Sequence, residues 1–142
     1  MQWKYCKKEI DDSAIEAVEK EFSIQYPASY KKLVLECHGG RPSKNIFDTE
    51  TEKEKMLKSF LPLTEIESMQ SVSSASKIVN QLNEHVKLIP FADEPGGDFV
   101  CFKYGGGNEQ PSIVVYSQER QKEEKISNDF TEFIDHLYEL TD

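Results

Sequence analysis

A chain of 142 residues with a net charge of −9, 30% charged and 11% aromatic residues is long enough for one domain that buries roughly 70% of its unfolded surface. The aromatic content argues against disorder, no apolar run approaches the roughly 20 residues of a membrane-spanning helix, and the opening Met-Gln-Trp-Lys-Tyr-Cys-Lys-Lys-Glu lacks the apolar core of an export signal. The charge is uneven: +1 over 1–44 (eight basic, seven acidic residues), −4 over 45–107 (six basic, ten acidic) and −6 over 108–142 (three basic, nine acidic), which disfavours direct nucleic-acid binding and leaves a solubilising surface or a face for a basic protein.

Trp3 and Tyr5 lie in a short segment expected to pack on the body. Ser13-Ala-Ile-Glu16 matches a capping box, and Ile15, Val18 and Phe22 follow at helical spacing, so a first helix is expected over 13–22. Tyr26-Pro27 opens a second helix, because proline's missing donor is unpaired in the first turn in any case. Tyr30, Leu33, Val34 and Cys37 mark its apolar face, and Gly39-Gly40 ends it. The two helices are expected to form a hairpin.

A strand over 45–47, a polar loop over 48–55 and a returning strand over 56–63 come next, with Pro62 placing the last at a sheet edge or bulge. Thr64-Glu-Ile-Glu67 is a second capping-box match. Met69, Val72, Ile78, Val79 and Leu82 continue at helical spacing, interrupted by serines that compete for backbone groups, so a broken helix is expected. The stretch 87–102 reads as strand, tight turn, strand: Leu88, Ile89, Phe91 and Ala92 on one side, residues 99–102 on the other. Asp93-Glu94-Pro95-Gly96-Gly97-Asp98 reverses the chain between them. A second glycine turn precedes a strand over 113–116. Residues 118–124 read as a polar turn and 125–126 as a last short strand. Ser127, Asn128 or Asp129 caps a final helix with the stripe Phe130, Phe133, Ile134, Leu137 and Leu140. The order is ααββα(β)3-4α, a single α+β domain over 1–142 with a mostly antiparallel sheet.

The chemistry-bearing residues form no motif. Cys6, Cys37 and Cys101 are odd in number and lack motif spacing, which suits reduced thiols in a cytosol. His38, His85 and His136 accompany no Gly-x-Ser-x-Gly elbow. Cys37 on an apolar helix face reads as a small buried hydrophobe, and Cys101 would need a histidine brought to it by the fold to serve as a hydrolase nucleophile. Zinc spacings are absent, the acids of the central turn do not match an EF-hand loop, and Gly105-Gly106-Gly107 is not followed by the Lys-Ser/Thr and helix of a phosphate loop. No cofactor, metal ligand or catalytic residue is expected. The acids Asp93, Glu94 and Asp98 either close their own turn or face a basic partner.

Four blocks in order resemble the SUKH superfamily, in the branch related to the fungal cell-wall assembly regulators. They are the helix over 15–22 leading into Tyr26-Pro-Ala-Ser-Tyr-Lys-Lys-Leu33 and Glu36-Cys-His-Gly-Gly40; Leu88-Ile-Pro-Phe-Ala92; Gly96-Gly-Asp-Phe-Val-Cys-Phe102; and Ile126-Ser-Asn-Asp-Phe-Thr-Glu-Phe-Ile134. Tyr26 stands where that family usually has leucine, and His38 where it has asparagine. The resemblance implies a cytoplasmic immunity protein, not an enzyme, that occludes a cognate toxin, a nuclease above all, through its acidic surface. The alternatives are a regulatory interaction module of the same fold and, third, a small hydrolase. The candidate contacts are Asp93, Glu94 and Asp98 on the central turn, Glu50, Glu52 and Glu54 on the polar loop, and Tyr104 as an aromatic anchor.

Overall fold

The computed structural model describes residues 1–79, 86–105 and 110–140. In chain order the elements are β1 (Trp3–Lys4), α1 (Asp12–Phe22), α2 (Ala28–Glu36), β2 (Arg41–Pro42), β3 (Ile46–Phe47), β4 (Lys55–Met56), β5 (Ser59–Phe60), α3 (Val72–Val79), β6 (Val86–Asp93), β7 (Phe99–Gly105), β8 (Ser112–Ser117), β9 (Lys122–Ser127) and α4 (Phe130–His136). Strands β5-β6-β7-β8-β9 form one antiparallel sheet, and β1-β2 and β3-β4 are two-stranded arms beside it. This is the α+β class that the element order implies.

The central hairpin is buried on both faces, because Phe99, Val100, Cys101 and Phe102 are each at most 2% exposed. Its partner β6 carries Pro90 in mid-strand, tolerated because the register shifts between Pro90 and Ala92. The bulge residue is Phe91, whose ring lies 4.5 Å from that of Phe102. Tyr30 of α2, Phe60 of β5 and Phe130 of α4 close around this pair, with ring centroids 5.1–6.5 Å from one another or from Phe102. Aromatics from five elements make one core, each burying large area with edge-on contacts that favour a single arrangement.

The helix boundaries differ from those read by spacing. The N-cap of α1 is Asp11, whose carboxylate accepts from the Ala14 N–H, while the Ser13 hydroxyl donates to that same carboxylate. Asp and Ser compete for one cap, and the acid two positions earlier takes it. Residues 64–70 are not helical. Helix α3 starts at Val72, and the Ser71 and Ser74 hydroxyls each accept the other's backbone N–H. The serines expected to interrupt a helix over 64–82 thus supply, at Ser71 and Ser74, the bonds that start it. Leu82 and His85 lie outside the described residues. The returning strand is two short ones, β4 and β5. The last strand is a full six residues, its exposed Lys122 and Lys125 suiting a charged sheet edge. Asp129 caps α4, and Leu140 is 52% exposed and outside the core.

The largest correction concerns the cysteines. Cys6 and Cys37 form a disulfide across a separation of 31 residues, fastening the segment after β1 to the end of α2. Cys37 is not an inert thiol on the helix face. It is the C-cap residue of α2, in extended backbone. The glycine pair serves this junction. Gly39 takes φ +62°, and a Cβ at Gly40 would lie 2.3 Å from Cys37 Sγ and 3.1 Å from the Lys4 carbonyl oxygen. These cysteines, far apart in sequence, are brought together by the β1–β2 pairing and by the Lys7 N–H bond to the His38 carbonyl, which two-residue strands do not announce.

His38 sits at the same junction, 2% exposed. One ring nitrogen donates to the Lys8 carbonyl (Nδ1, 2.9 Å) and the other accepts the Leu63 N–H (Nε2, 2.8 Å), which defines a neutral tautomer. Burial lowers its pKa, the Lys8 carbonyl opposes this, and Lys7 adds to it. A lowered folded pKa means that the stabilisation is complete above the ordinary value of 6.5 and is lost as pH falls through the folded value. The urea midpoint of the wild type should therefore fall more steeply between about pH 7 and about pH 5 than that of His38→Asn, whose amide donates and accepts without titrating. Equal slopes would contradict this role.

Candidate acidic interface

The polar loop and the central turn meet at Lys55. Its ammonium lies 3.2 Å from Glu52 Oε2 and 3.3 Å from Glu94 Oε2, so two segments some 40 residues apart share one cation. Around it the chain closes by hydrogen bonds. Asp93 Oδ1 accepts the N–H and hydroxyl of Ser59, fixing the turn to the edge strand β5. Asp98 Oδ1 accepts the Gln118 N–H, and the Glu94 N–H donates to the Asp98 carbonyl. Gly97, at φ +96°, is the position in the turn that needs a glycine. On the other side the Thr51 N–H and hydroxyl donate to Glu124 of β9. Loop 48–55 and turn 93–98 thus form one face rich in carboxylates, tied at its side to the outer strand β9, where two lysines balance two glutamates.

The carboxylates on this face are not equivalent. Glu50, Glu52 and Glu54 are exposed, and Asp98 is half-buried. Glu94 is 9% exposed, and its Oε1 is buried without a hydrogen-bond partner. Burial raises the pKa of Glu94, Lys55 opposes this, and Asp98 and Glu52 add to it. Burial likewise raises Asp93, against the lowering effect of the Ser59 N–H. Lys55 feels the reverse: burial alone would lower it, and Glu94 with Glu52 raises it. Glu54 occupies the left-handed region at φ +57°, unusual for a non-glycine residue. It is held there by its N–H donating to Asp48 Oδ1.

Six of the seven expected contact residues come together here, but in two roles. Glu50, Glu52, Glu54 and Asp98 reach the surface. Asp93 and Glu94 are structural pins, Glu94 too buried to meet a partner. Tyr104 does not join them. It lies five residues along β7 from Phe99, about 17 Å at the rise of a strand, and is half-buried with its hydroxyl donating to the Gln25 carbonyl. Its ring contacts Phe102 at 6.4 Å, so it belongs to the core margin. Cys101 is fully buried, and burial pushes its thiol well up, so the nucleophile considered for a hydrolase is closed off from substrate. Among the described residues no group of three His, Cys, Asp or Glu is placed to hold a metal ion.

Spacing did not reveal Lys55 as the keystone, nor the cleft beside the loop. That cleft, about 330 Å³, is lined by Phe47, Asp48, Ile126, Ser127, Phe133, His136 and Tyr138. The chain after α4 builds it by returning to pair with β3: Ile46 and Tyr138 exchange both backbone hydrogen bonds. The Tyr138 hydroxyl donates to Asp48 at 2.6 Å, a bond that pushes its pKa up to about 12. A single backbone bridge of this kind leaves no periodic signal.

These features define a class, an α+β domain with an antiparallel sheet buried on both faces at its centre and an acidic face at one end. The family model described as SUKH_6: SMI1-KNR4 cell-wall matches residues 12–134, and the chain belongs to this SUKH family. Comparisons with curated proteins and with solved structures find no significant match. Membership supports an immunity-protein-like or SMI1-KNR4-like function in general terms, carried out through protein–protein contact. SUKH proteins are generally not enzymes. No helix among the described residues is long and apolar enough to cross a membrane.

Proposed function

We propose that this single domain over 1–142 is an immunity protein that binds a cognate toxin, of nuclease type, and blocks its substrate-binding face. The observation that carries the reading is the joining of loop 48–55 to turn 93–98 through Lys55, which gathers acids from distant parts of the sequence on one face. A nuclease presents cations to a phosphate backbone, and an opposed acidic face both speeds encounter and covers those cations. Glu50, Glu52, Glu54 and Asp98 make the contact, while Asp93 and Glu94 hold its shape. No direct nucleic-acid contact, membrane contact or cofactor enters this reading. A guard against a nuclease works where the nucleic acid is, hence in the cytoplasm. The cysteines no longer speak for that location, since Cys6 and Cys37 are bonded.

The test is capture by the protein encoded beside this one, and rescue of growth when the two are co-expressed. Capture that weakens steeply with salt, together with rescue, is the expected result. The absence of both capture and rescue would overturn the reading. The cell-wall description of the family favours a second reading, a regulatory interaction module. It predicts capture of a signalling partner with no rescue of a poisoned cell.

A further inference from the structure

We propose that the cleft between the β3–β4 arm, β9 and the end of α4 seats one arginine side chain of the partner protein. The proposal rests on the function above and specifies the chemistry of its contact.

The cleft has two chemically distinct parts. Its floor is apolar: Phe47 and Phe133 are each 3% exposed, with rings 5.8 Å apart and nearly edge-on, beside Ile126. Its rim carries Asp48, with Tyr138 and His136 alongside. Asp48 Oδ1 is occupied, accepting from the Tyr138 hydroxyl (2.6 Å) and the Glu54 N–H (3.0 Å). These two donors lower its pKa, so it stays ionised at neutral pH. The ion partner of Oδ2 is Lys53 Nζ at 4.0 Å, longer than a hydrogen bond, on a side chain 74% exposed. A displaceable lysine therefore holds the place of a better cation.

An apolar floor ending at a carboxylate selects an amphipathic cation. A wholly apolar occupant would cover Asp48 without pairing it, and an anion would be repelled by Asp48 and by the exposed Glu50, Glu52 and Glu54 of the same loop. Arginine fits better than lysine. Its stem lies over Ile126 and the partly exposed Tyr138 above the buried phenylalanines, its planar guanidinium reaches the Asp48 carboxylate, and it is less strongly hydrated than an ammonium. The wall is already built, because the paired Ile46 and Tyr138 backbones and the Tyr138–Asp48 bond fix the rim. A preformed seat avoids ordering losses on binding.

The experiment is an NMR titration of the intact protein with Nα-acetyl-arginine methylamide, against its neutral citrulline isostere. Saturable shifts at Phe47, Asp48, Ile126 and Tyr138 are expected with the arginine probe, in the millimolar range, and about tenfold weaker binding with citrulline. Asp48→Asn keeps the Oδ1 acceptor for Tyr138 and Glu54 but removes the charge, and should weaken the arginine probe about tenfold. Lys53→Ala, at an exposed position, should strengthen it two- to threefold, on the order of a single displaced surface ion pair. Equal binding of citrulline, shifts confined to the Glu50–Glu54 loop, or indifference to Lys53→Ala would overturn the proposal. The two hypotheses fail separately. A captured toxin whose affinity ignores Asp48→Asn removes the arginine seat and leaves the immunity function. A cleft that saturates with the arginine probe in a protein that captures and neutralises nothing removes the function and leaves the seat.

Discussion

Lys55→Met is expected to destabilise the domain by about 3 kcal/mol, the low end of the cost of removing one partner from a buried ion pair. The side chains of Lys55 and Glu94 are 12% and 8% exposed, so solvent screens the pair weakly. Glu94 Oε1 already lacks a partner, and without Lys55 its second oxygen loses the ammonium too. Glu52 stands in open solvent and has water in place of the lysine. The pH dependence gives the prediction a sign. The folded pKa of Glu94 is raised above its ordinary 4.5, chiefly by burial, and Lys55 opposes that rise. Loss of Lys55 raises it further. For a group with a raised folded pKa, the favourable balance holds below the unfolded value and is lost as pH rises through the folded one. Lys55→Met should therefore regain stability relative to wild type on acidification towards pH 4.5. Adding Glu94→Gln should recover most of the loss at neutral pH. Urea unfolding of the four proteins of this cycle measures the coupling, and a loss below about 1 kcal/mol would place the pair among ordinary surface bridges.

The second large effect is expected from Cys6→Ser. Closing a loop of 31 residues removes denatured-state entropy worth about 3.7 kcal/mol on the chain-entropy account. Losing the bond also loosens the junction held by Lys7 N–H to the His38 carbonyl and by His38 to Lys8 and Leu63. Wild type under a thiol reductant and Cys6→Ser should unfold at the same denaturant concentration, both below oxidised wild type. The variant should show no further response to reductant, since Cys101 is buried in β7. The comparison also bears on location, because a reducing cytoplasm leaves the protein in the state that Cys6→Ser mimics. A variant that still folds and binds shows that the domain serves there without the bond. Unchanged unfolding of reduced wild type would mean that the bond contributes nothing.

What the sequence made legible was periodicity. Phe130 and Phe133 at helical spacing, the two apolar runs flanking the central turn and the glycine-proline reversal all fell where expected, because each is written in consecutive or regularly spaced residues. The misses share a different cause. Asp11 took the cap from Ser13 because two adequate caps stood two residues apart. The segment 64–70 resembled a helix start, yet the reciprocal Ser71–Ser74 bonds begin α3 later. The Cys6–Cys37 bond, the Lys55 bridge and the Ile46–Tyr138 pairing each join residues more than 30 positions apart, and no local pattern marks them. The acids of the site were visible one by one. Which of them reach solvent and which are pins was not, because the partner of Glu94 is a lysine 39 positions away at the start of β4.

The central claim is that the joined acidic face contacts a basic partner. The most direct measurement is the affinity of the adjacent-encoded protein for wild type and for the double variant Glu50→Gln, Glu54→Gln, which leaves the Glu52–Lys55 pair in place and whose fold should be unaffected because both side chains are exposed. The account predicts a loss of about tenfold or more, mainly as slower association, shrinking as salt is raised. Affinity and association rate unchanged at low salt would contradict it.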